Sequence, residues 1–295
     1  MHFHDVDIED TFAEAFTMTA ARVIVTATSE RWARTAAEVA TGYGTSVIGC
    51  DAEAGIESAV PPEESPDGRP GYQCLFFAFS RDALGKAAVG RVGQCVMTCP
   101  TTSCYDGLPG AEKKVKLGSV LRYFGDRHQV SKRLEHRRYW RIPVMDGEFV
   151  CDDELGTSKA VAGGNFLILA QCQATALVAA ERAVAAIEGL PEVICPFPGG
   201  VVRSGSKVGS VYKALKASTN DAYCPTLRGT VETQLPGDVG CVYEIVIDGL
   251  TLEAVRQAMR VGIEAAVGEG VVRISAGNYG GKLGAHHIRL HEVMT

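Results

Sequence analysis

Glu244 interrupts the run Cys241-Val-Tyr-Glu-Ile-Val-Ile-Asp248, which is otherwise apolar enough to read as a strand buried on both faces. A carboxylate there is either paired with an Arg or Lys at the mouth of the strand or functional. Left unpaired, burial would raise its pKa rather than strand a naked charge, and a proton held near neutrality is what acid–base chemistry needs. Other residue types invite different chemistry. Cys95, Cys99 and Cys104 fall close together but lack Cys-x-x-Cys spacing, and Cys172 and Cys195 have no nearby Cys or His, so the pattern argues against a metal centre and for small buried hydrophobes. His286, His287 and His291 lie in a segment alternating like an edge strand, and read as surface or packing residues.

Two glycine-rich stretches fail as nucleotide motifs. In Gly200-Val-Val-Arg-Ser-Gly205-Ser206-Lys207 a Ser stands where a P-loop requires Lys, and Pro196-Phe-Pro198 before it is no central strand. Gly42-Tyr-Gly44 is followed by Val47 where a dinucleotide fingerprint wants Gly, and it ends a helical segment instead of opening one. What remains are loops 197–209 and 277–284, in which Gly permits close backbone approach to a ligand while Ser206, Lys207, Asn278, Tyr279 and Lys282 offer polar contacts.

The elements that must position these residues come in two rounds. Strand 22–27, helix 29–41, strand 46–50, strand 72–79, helix 81–92 and strand 94–98 give β-α-β-β-α-β. Strand 166–170, helix 174–188, strand 193–195, strand 242–247, helix 252–267 and strand 271–275 repeat that order, with an insertion in the second round that holds 197–209 and Cys224-Pro-Thr226. Between them, 113–149 reads as β-hairpins turning at Gly125-Asp126 and Asp146-Gly147. The expected fold is therefore α+β: two ferredoxin-like lobes from an internal duplication, 1–150 and 151–295, divided near Asp152-Asp-Glu154.

Composition narrows the setting. With 295 residues, 46% of them hydrophobic, the chain can bury a large core and is longer than one typical domain. No apolar stretch approaches the roughly 18 residues of a membrane span, since Glu181 and Arg182 break the best one, and no signal-peptide pattern opens the chain. A net charge of −6, with cations dispersed apart from Lys132, Arg133, Arg137, Arg138 and Arg141, argues against nucleic acid. Ten cysteines in such a chain suggest reduced thiols in a cytoplasm.

Asp10-Thr-Phe-Ala-Glu-Ala-Phe16, Glu53-Ala-Gly-Ile-Glu57, Pro66-Asp-Gly-Arg-Pro-Gly71, Gly93-Gln-Cys-Val-Met-Thr-Cys-Pro-Thr-Thr102, Phe197-Pro-Gly-Gly200, Val242-Tyr-Glu-Ile-Val-Ile-Asp-Gly249 and Gly277-Asn-Tyr-Gly-Gly-Lys-Leu-Gly284 span nearly the whole chain. Together they resemble the formylmethanofuran–tetrahydromethanopterin formyltransferase family. The resemblance implies formyl transfer between the amine of methanofuran and N5 of the pterin, both being substrates, with no prosthetic group. It further implies a homo-oligomer, usually a tetramer, and for a bacterial member possible partnership in a formyltransferase/hydrolase complex. A protonated Glu244 suits the tetrahedral oxyanion such a transfer passes through.

On this reading Ser206, Lys207, Asn278, Tyr279 and Lys282 are candidates to hold the anionic pterin tail, and a loop that merely turns a corner would look the same. Gln94, Thr101 and Thr102 would line the cleft or simply cap a strand. Glu53 and Glu57 read as solvated or paired across a subunit interface, and 10–14 as a helix start. Two other functions stay open: a non-catalytic assembly subunit, and a metal- or thiol-dependent hydrolase.

Overall fold

The computed structural model describes residues 1–295. Its chain forms a mixed α+β structure with a large, mostly antiparallel sheet, and contacts divide it into Met18–Ala160 and a unit assembled from Met1–Thr17 and Val161–Thr295.

In Met18–Ala160 the strand Phe12–Thr26 runs antiparallel to Gly71–Ala78 on one side and to Ser103–Asp106 on the other, with Glu53–Val60 outside Gly71–Ala78. Helix Glu30–Thr41 carries Ala33, Ala36, Ala37 and Ala40 on one stripe. These small side chains bring it close to Val23, Val25, Cys74 and Phe76. Helix Arg81–Arg91 packs on the same face through Leu84 and Ala88, its start fixed by Ser80 Oγ accepting from Ala83 N at 3.2 Å.

Two expected strands of this unit lie elsewhere. Residues 94–98 continue the preceding helix as a π-helical turn, Val92–Val96, and the strand follows at Ser103–Asp106. A short apolar run carries no period of its own, and Val92 and Val96 are buried four apart, as on a helix. Residues 46–50 form a turn with Ile48 exposed, and the strand is Glu53–Val60. Its acidic members disguise it. Glu53 and Glu57 are buried, neither solvated nor waiting for a second subunit: Glu57 is the extra residue of a β-bulge and takes Arg22 in a bidentate pair at 2.5 and 2.6 Å.

The segment 113–149 is less uniform than a string of hairpins. Lys113–Lys116 pairs with 154–157, short helical turns fill Gly118–Leu121 and Arg122–Gly125, and only Val130–Leu134, Arg137–Val144 and Gly147–Asp152 form a meander. Gly147, at φ 134°, makes its second turn, whereas left-handed Asp126 ends the helical turn instead of joining strands.

The second unit is built around 161–170 of strand Glu154–Ala170, antiparallel to both Cys241–Gly249 and Val271–Ser275, with Val193–Ile194 beyond Cys241–Gly249. Helices Gln173–Ile187 and Leu252–Ala266 cover one face, packing Ala179, Ala183, Val255 and Met259 on Phe166, Ile168, Ile245 and Ile247. The opposite face carries Leu167, Leu169 and Val242, covered by Tyr223, Leu235 and Val239 of the insertion between strands. The N-terminus belongs here. Val6–Ile8 adds parallel to Val271–Ser275, and Phe12–Ala15 pairs with His286–Arg289. Those pairings group Met1–Thr17 with Val161–Thr295 in one compact unit, alongside the expectation of lobes 1–150 and 151–295. They also make 10–14 part of a strand approach, not a helix start.

Candidate active site

Glu244 lies directly opposite Leu167, with Ser275 opposite Leu167 on its other side, so all three point to the face covered by the insertion. The strand is thus not uniformly buried. Ile245 and Ile247 are sealed beneath the helices, while residues 241–244 stay partly accessible. The insertion clasps the strand edge at this point: Val202 N donates to Glu244 O at 2.8 Å and Glu244 N to Val202 O at 3.0 Å. The Glu244 carboxyl itself has no hydrogen-bond or ion-pair partner, and burial alone pushes it up to about 7. The paired-Glu alternative therefore falls away.

Asn165 stands on the same face. Its Oδ1 accepts from Gly277 N at 2.6 Å, and its Nδ2 donates to Gly277 O and Gly163 O at 3.1 Å each. A methyl group on Gly277 would stand 3.2 Å from Asn165 Oδ1 and 3.6 Å from Glu244 Oε1. A side chain at 277 would crowd Asn165 Oδ1 and come into van der Waals contact with Glu244 Oε1. Ala162 and Gly163, the latter at φ 86°, form the bulge that sets Asn165 in register, with Gly163 N donating to Asp248 Oδ1 at 2.9 Å.

The rest of the 277–284 loop is folded around Glu14. This buried carboxylate accepts from Tyr279 N at 2.7 Å and Gly281 N at 2.8 Å on one oxygen, and from Leu283 N at 2.5 Å and Gly284 N at 2.6 Å on the other. Burial pushes the Glu14 carboxyl up, but donation from Gly284, Tyr279, Leu283 and Gly281 outweighs it and holds the group below its ordinary value.

A half-buried, unpaired carboxyl held near neutrality beside a tight glycine loop is suited to donating a proton or a hydrogen bond to developing negative charge. Comparison with known proteins places the whole chain in a family. The family model for formylmethanofuran-tetrahydromethanopterin formyltransferase matches residues 1–144, and the model for the proximal lobe of the same family matches 147–293. The chain belongs to this formyltransferase family. A formylmethanofuran–tetrahydromethanopterin formyltransferase of Methylococcus capsulatus is 56% identical over 100% of both chains. The formyltransferase structure from Methanosarcina barkeri superposes with a TM-score of 0.94 at 49% identity, covering 99% of this chain and 100% of that one. The formyltransferase/hydrolase complex of Methylorubrum extorquens, solved with methylofuran, contains a chain that matches with a TM-score of 0.97 at 50% identity, over 100% of this chain and 99% of that one.

Within this formyltransferase the other expected site residues are distributed unevenly. Asn278 is held by its own loop and the N-terminal strand, with Nδ2 donating to Thr11 Oγ1 at 3.3 Å and Phe12 O at 3.2 Å. Tyr279 is half-buried with its ring 6.2 Å from that of Phe16, and Lys282 is exposed. Lys207 spends its charge on Asp221 in an ion pair, and half-buried Ser206 precedes it. Thr101 and Thr102 belong to the Met18–Ala160 unit and act as local ties: Thr102 Oγ1 donates to Val96 O and to Cys99 O, and Thr101, at φ 64°, takes Arg69 on its carbonyl at 2.5 Å. Gln94 is exposed in the π-helical turn.

Asn165 and Glu14 were missed by the sequence reading. Asn165 passes the test that singled out Glu244, a polar residue inside an apolar strand. Glu14 gives little local signal, because all four of its donors are 265–270 residues away.

Proposed function

We propose that this formyltransferase moves a formyl group between the amine of a methanofuran-type carrier and N5 of a tetrahydromethanopterin-type carrier by direct transfer, with Glu244 as the acid that serves the tetrahedral intermediate. The carrying observation is the unpartnered Glu244 carboxyl, pushed up to about 7 by burial. The incoming nitrogen attacks the formyl carbon and the carbonyl oxygen becomes an oxyanion. Glu244 donates to that oxygen, the incoming nitrogen releases its proton, and the departing nitrogen takes one up as the C–N bond breaks. Partial exclusion of water by the insertion keeps hydrolysis from capturing the formyl carbon.

Several finer statements belong to the same reading. Ser206, Lys207, Tyr279 and Lys282 contact the carriers, with Lys282 the freest cation. The two units descend from one ferredoxin-like βαββαβ ancestor. Supporting this, each places its last strand beside its first, the third on the first strand's other side and the second outermost. The chain acts in a cytoplasm as a homotetramer or as the formyltransferase subunit of a larger complex. No helix is long and apolar enough to cross a membrane. An intact Glu244 site favours turnover over a purely scaffolding subunit.

The reading is tested by following pterin absorbance with a formylated furan amine and the reduced pterin. Turnover should fall from wild type to Glu244→Gln to Glu244→Ala, the last by roughly 10²- to 10³-fold, while substrate affinity changes much less. A folded Glu244→Ala protein turning over within about threefold of wild type, far short of that loss, would sink it.

A further inference from the structure

Glu14 takes no part in the chemistry above, yet it is 1% exposed and accepts four backbone N–H groups. A carboxylate has about four acceptor positions, and here all are filled from one short loop. Three of the loop's glycines explain the fit. Gly280 and Gly281 each adopt φ 71°, and a methyl on Gly284 would meet Ala15 O at 2.5 Å and Glu14 Cγ at 2.7 Å. The loop thus wraps an internal anion, and its inward amides are not available to an anionic substrate. What it presents outward is the Lys282 and Leu283 side chains and part of Tyr279.

The wrapped loop is tied to Glu244 by a short path. Glu14 N donates to Gly277 O at 3.3 Å, Gly277 closes a pair of hydrogen bonds with Asn165, and Gly277 adjoins Glu244 Oε1. We propose that Glu14 is a positioning residue for formyl transfer: its carboxylate templates the 277–284 loop, and through Gly277 and Asn165 that loop forms the wall against which the Glu244 carboxyl stands. The inference rests on the assignment of Glu244 as the acid. Titratable groups on the surrounding elements include Tyr223 of the insertion, Tyr279 of the loop, and Arg273 paired with Asp7 at 2.7 Å on neighbouring strands. None of them moves the Glu244 carboxyl, which responds to burial alone. Loosening the wall should therefore hydrate Glu244 and bring its titration down toward the ordinary carboxylate range.

The test joins hydrogen exchange with kinetics on the full chain. Glu14→Gln preserves shape but turns one accepting oxygen into a donating amide NH2 group facing two N–H donors. Gly284→Ala leaves the carboxylate in place and forces the loop off it. In both, the amides of Tyr279, Gly281, Leu283 and Gly284 should exchange at least tenfold faster than in wild type. The kcat of the folded enzyme should fall about 10- to 100-fold, as for a group that orients another, and the alkaline limb of the kcat–pH profile should move to lower pH. Loop amides that stay protected in Glu14→Gln overturn the proposal. So does a loosened loop with wild-type kcat and an unmoved limb, or a loss explained wholly by a smaller folded fraction. Glu244→Gln, run in parallel, separates the two ideas. Persistence of the alkaline limb in that variant refutes Glu244 as the titrating acid, while exchange and kcat in the Glu14 variants still decide whether Glu14 positions the loop.

Discussion

Glu244 and Glu14 sit in the same unit, but burial acts alone on the first and is outweighed by four N–H donors on the second, so their carboxyls move to opposite sides of the ordinary value. The consequences for stability also oppose. Folded Glu244 binds its proton more tightly than the unfolded chain does, so the stability that proton confers is complete below the ordinary value of 4.5 and is lost as pH rises through about 7. Glu14 contributes stability that is present above 4.5 and is lost as pH falls through its depressed value. Glu244→Gln cannot titrate. Between pH 5 and pH 8 wild type should therefore lose on the order of 2–3 kcal/mol relative to the Gln variant, using 1.36 kcal/mol per pKa unit. Paired thermal melts at the two pH values would read this as a narrowing or reversal of the Tm difference, and a pH-independent difference would mean that Glu244 does not titrate as an isolated buried acid. The alkaline limb of turnover should disappear in the same variant, since the amide that replaces the acid has no proton to lose.

The four long helices were legible, their observed bounds falling within a residue or so of those expected. Strands marked by small or acidic residues were not. Glu53–Val60 was hidden because Glu57 is neutralised by Arg22, a partner 35 residues earlier, and 94–98 was misread because Val92 and Val96 suit either geometry. Gly164, the first paired residue after the bulge, shows how closely the site strand is fitted: a methyl there would lie 2.3 Å from Val255 Cγ1. Gly164→Ala should thus overpack the helix–sheet interface and cost about 1–3 kcal/mol, measurable as a lower denaturation midpoint with unchanged slope. A second element-level prediction concerns the start of helix Gln173–Ile187, where Cys172 is the N-cap and exposed. The Thr175 hydroxyl at 3.3 Å draws its thiol pKa down, whereas burial pushes Cys74 up to about 12 and Cys104 well above its usual range. Native protein treated briefly with iodoacetamide should be labelled at Cys172 and spared at Cys74, Cys104 and Cys151, as peptide mapping would reveal. Formyl transfer should survive that labelling, because the proposed acid is Glu244 and the proposed step calls upon no thiol.

At the scale of the molecule, two successive rounds of strands and helices were readable from pattern, but the assignment of the first residues was not, because strand pairing between positions such as Asp7 and Arg273 leaves no periodic trace. Val6–Ile8 extends the sheet beside Val271–Ser275, and Phe12–Ala15 pairs with His286–Arg289, so the N-terminal segment is built into the unit that carries Glu244. It also delivers Glu14 to the 277–284 loop. Removing Met1–Thr17 should therefore damage the distant end of the chain and spare its near neighbour. The sheet edge at Val271–Ser275 loses a paired strand, His286–Arg289 loses its only partner strand, and the four amides that Glu14 satisfies are left facing a gap, each unsatisfied buried donor costing about 1–3 kcal/mol. Met18–Ala160 keeps every strand pairing of its own, from Glu53–Val60 through Ser103–Asp106. Limited proteolysis of the truncated protein should accordingly cut first within 277–295 and leave a fragment from 18–160 intact, with formyl transfer reduced to background. Early cleavage inside 18–160 with 277–295 protected, or transfer near the wild-type rate, would show that the first residues decorate this unit without holding it together.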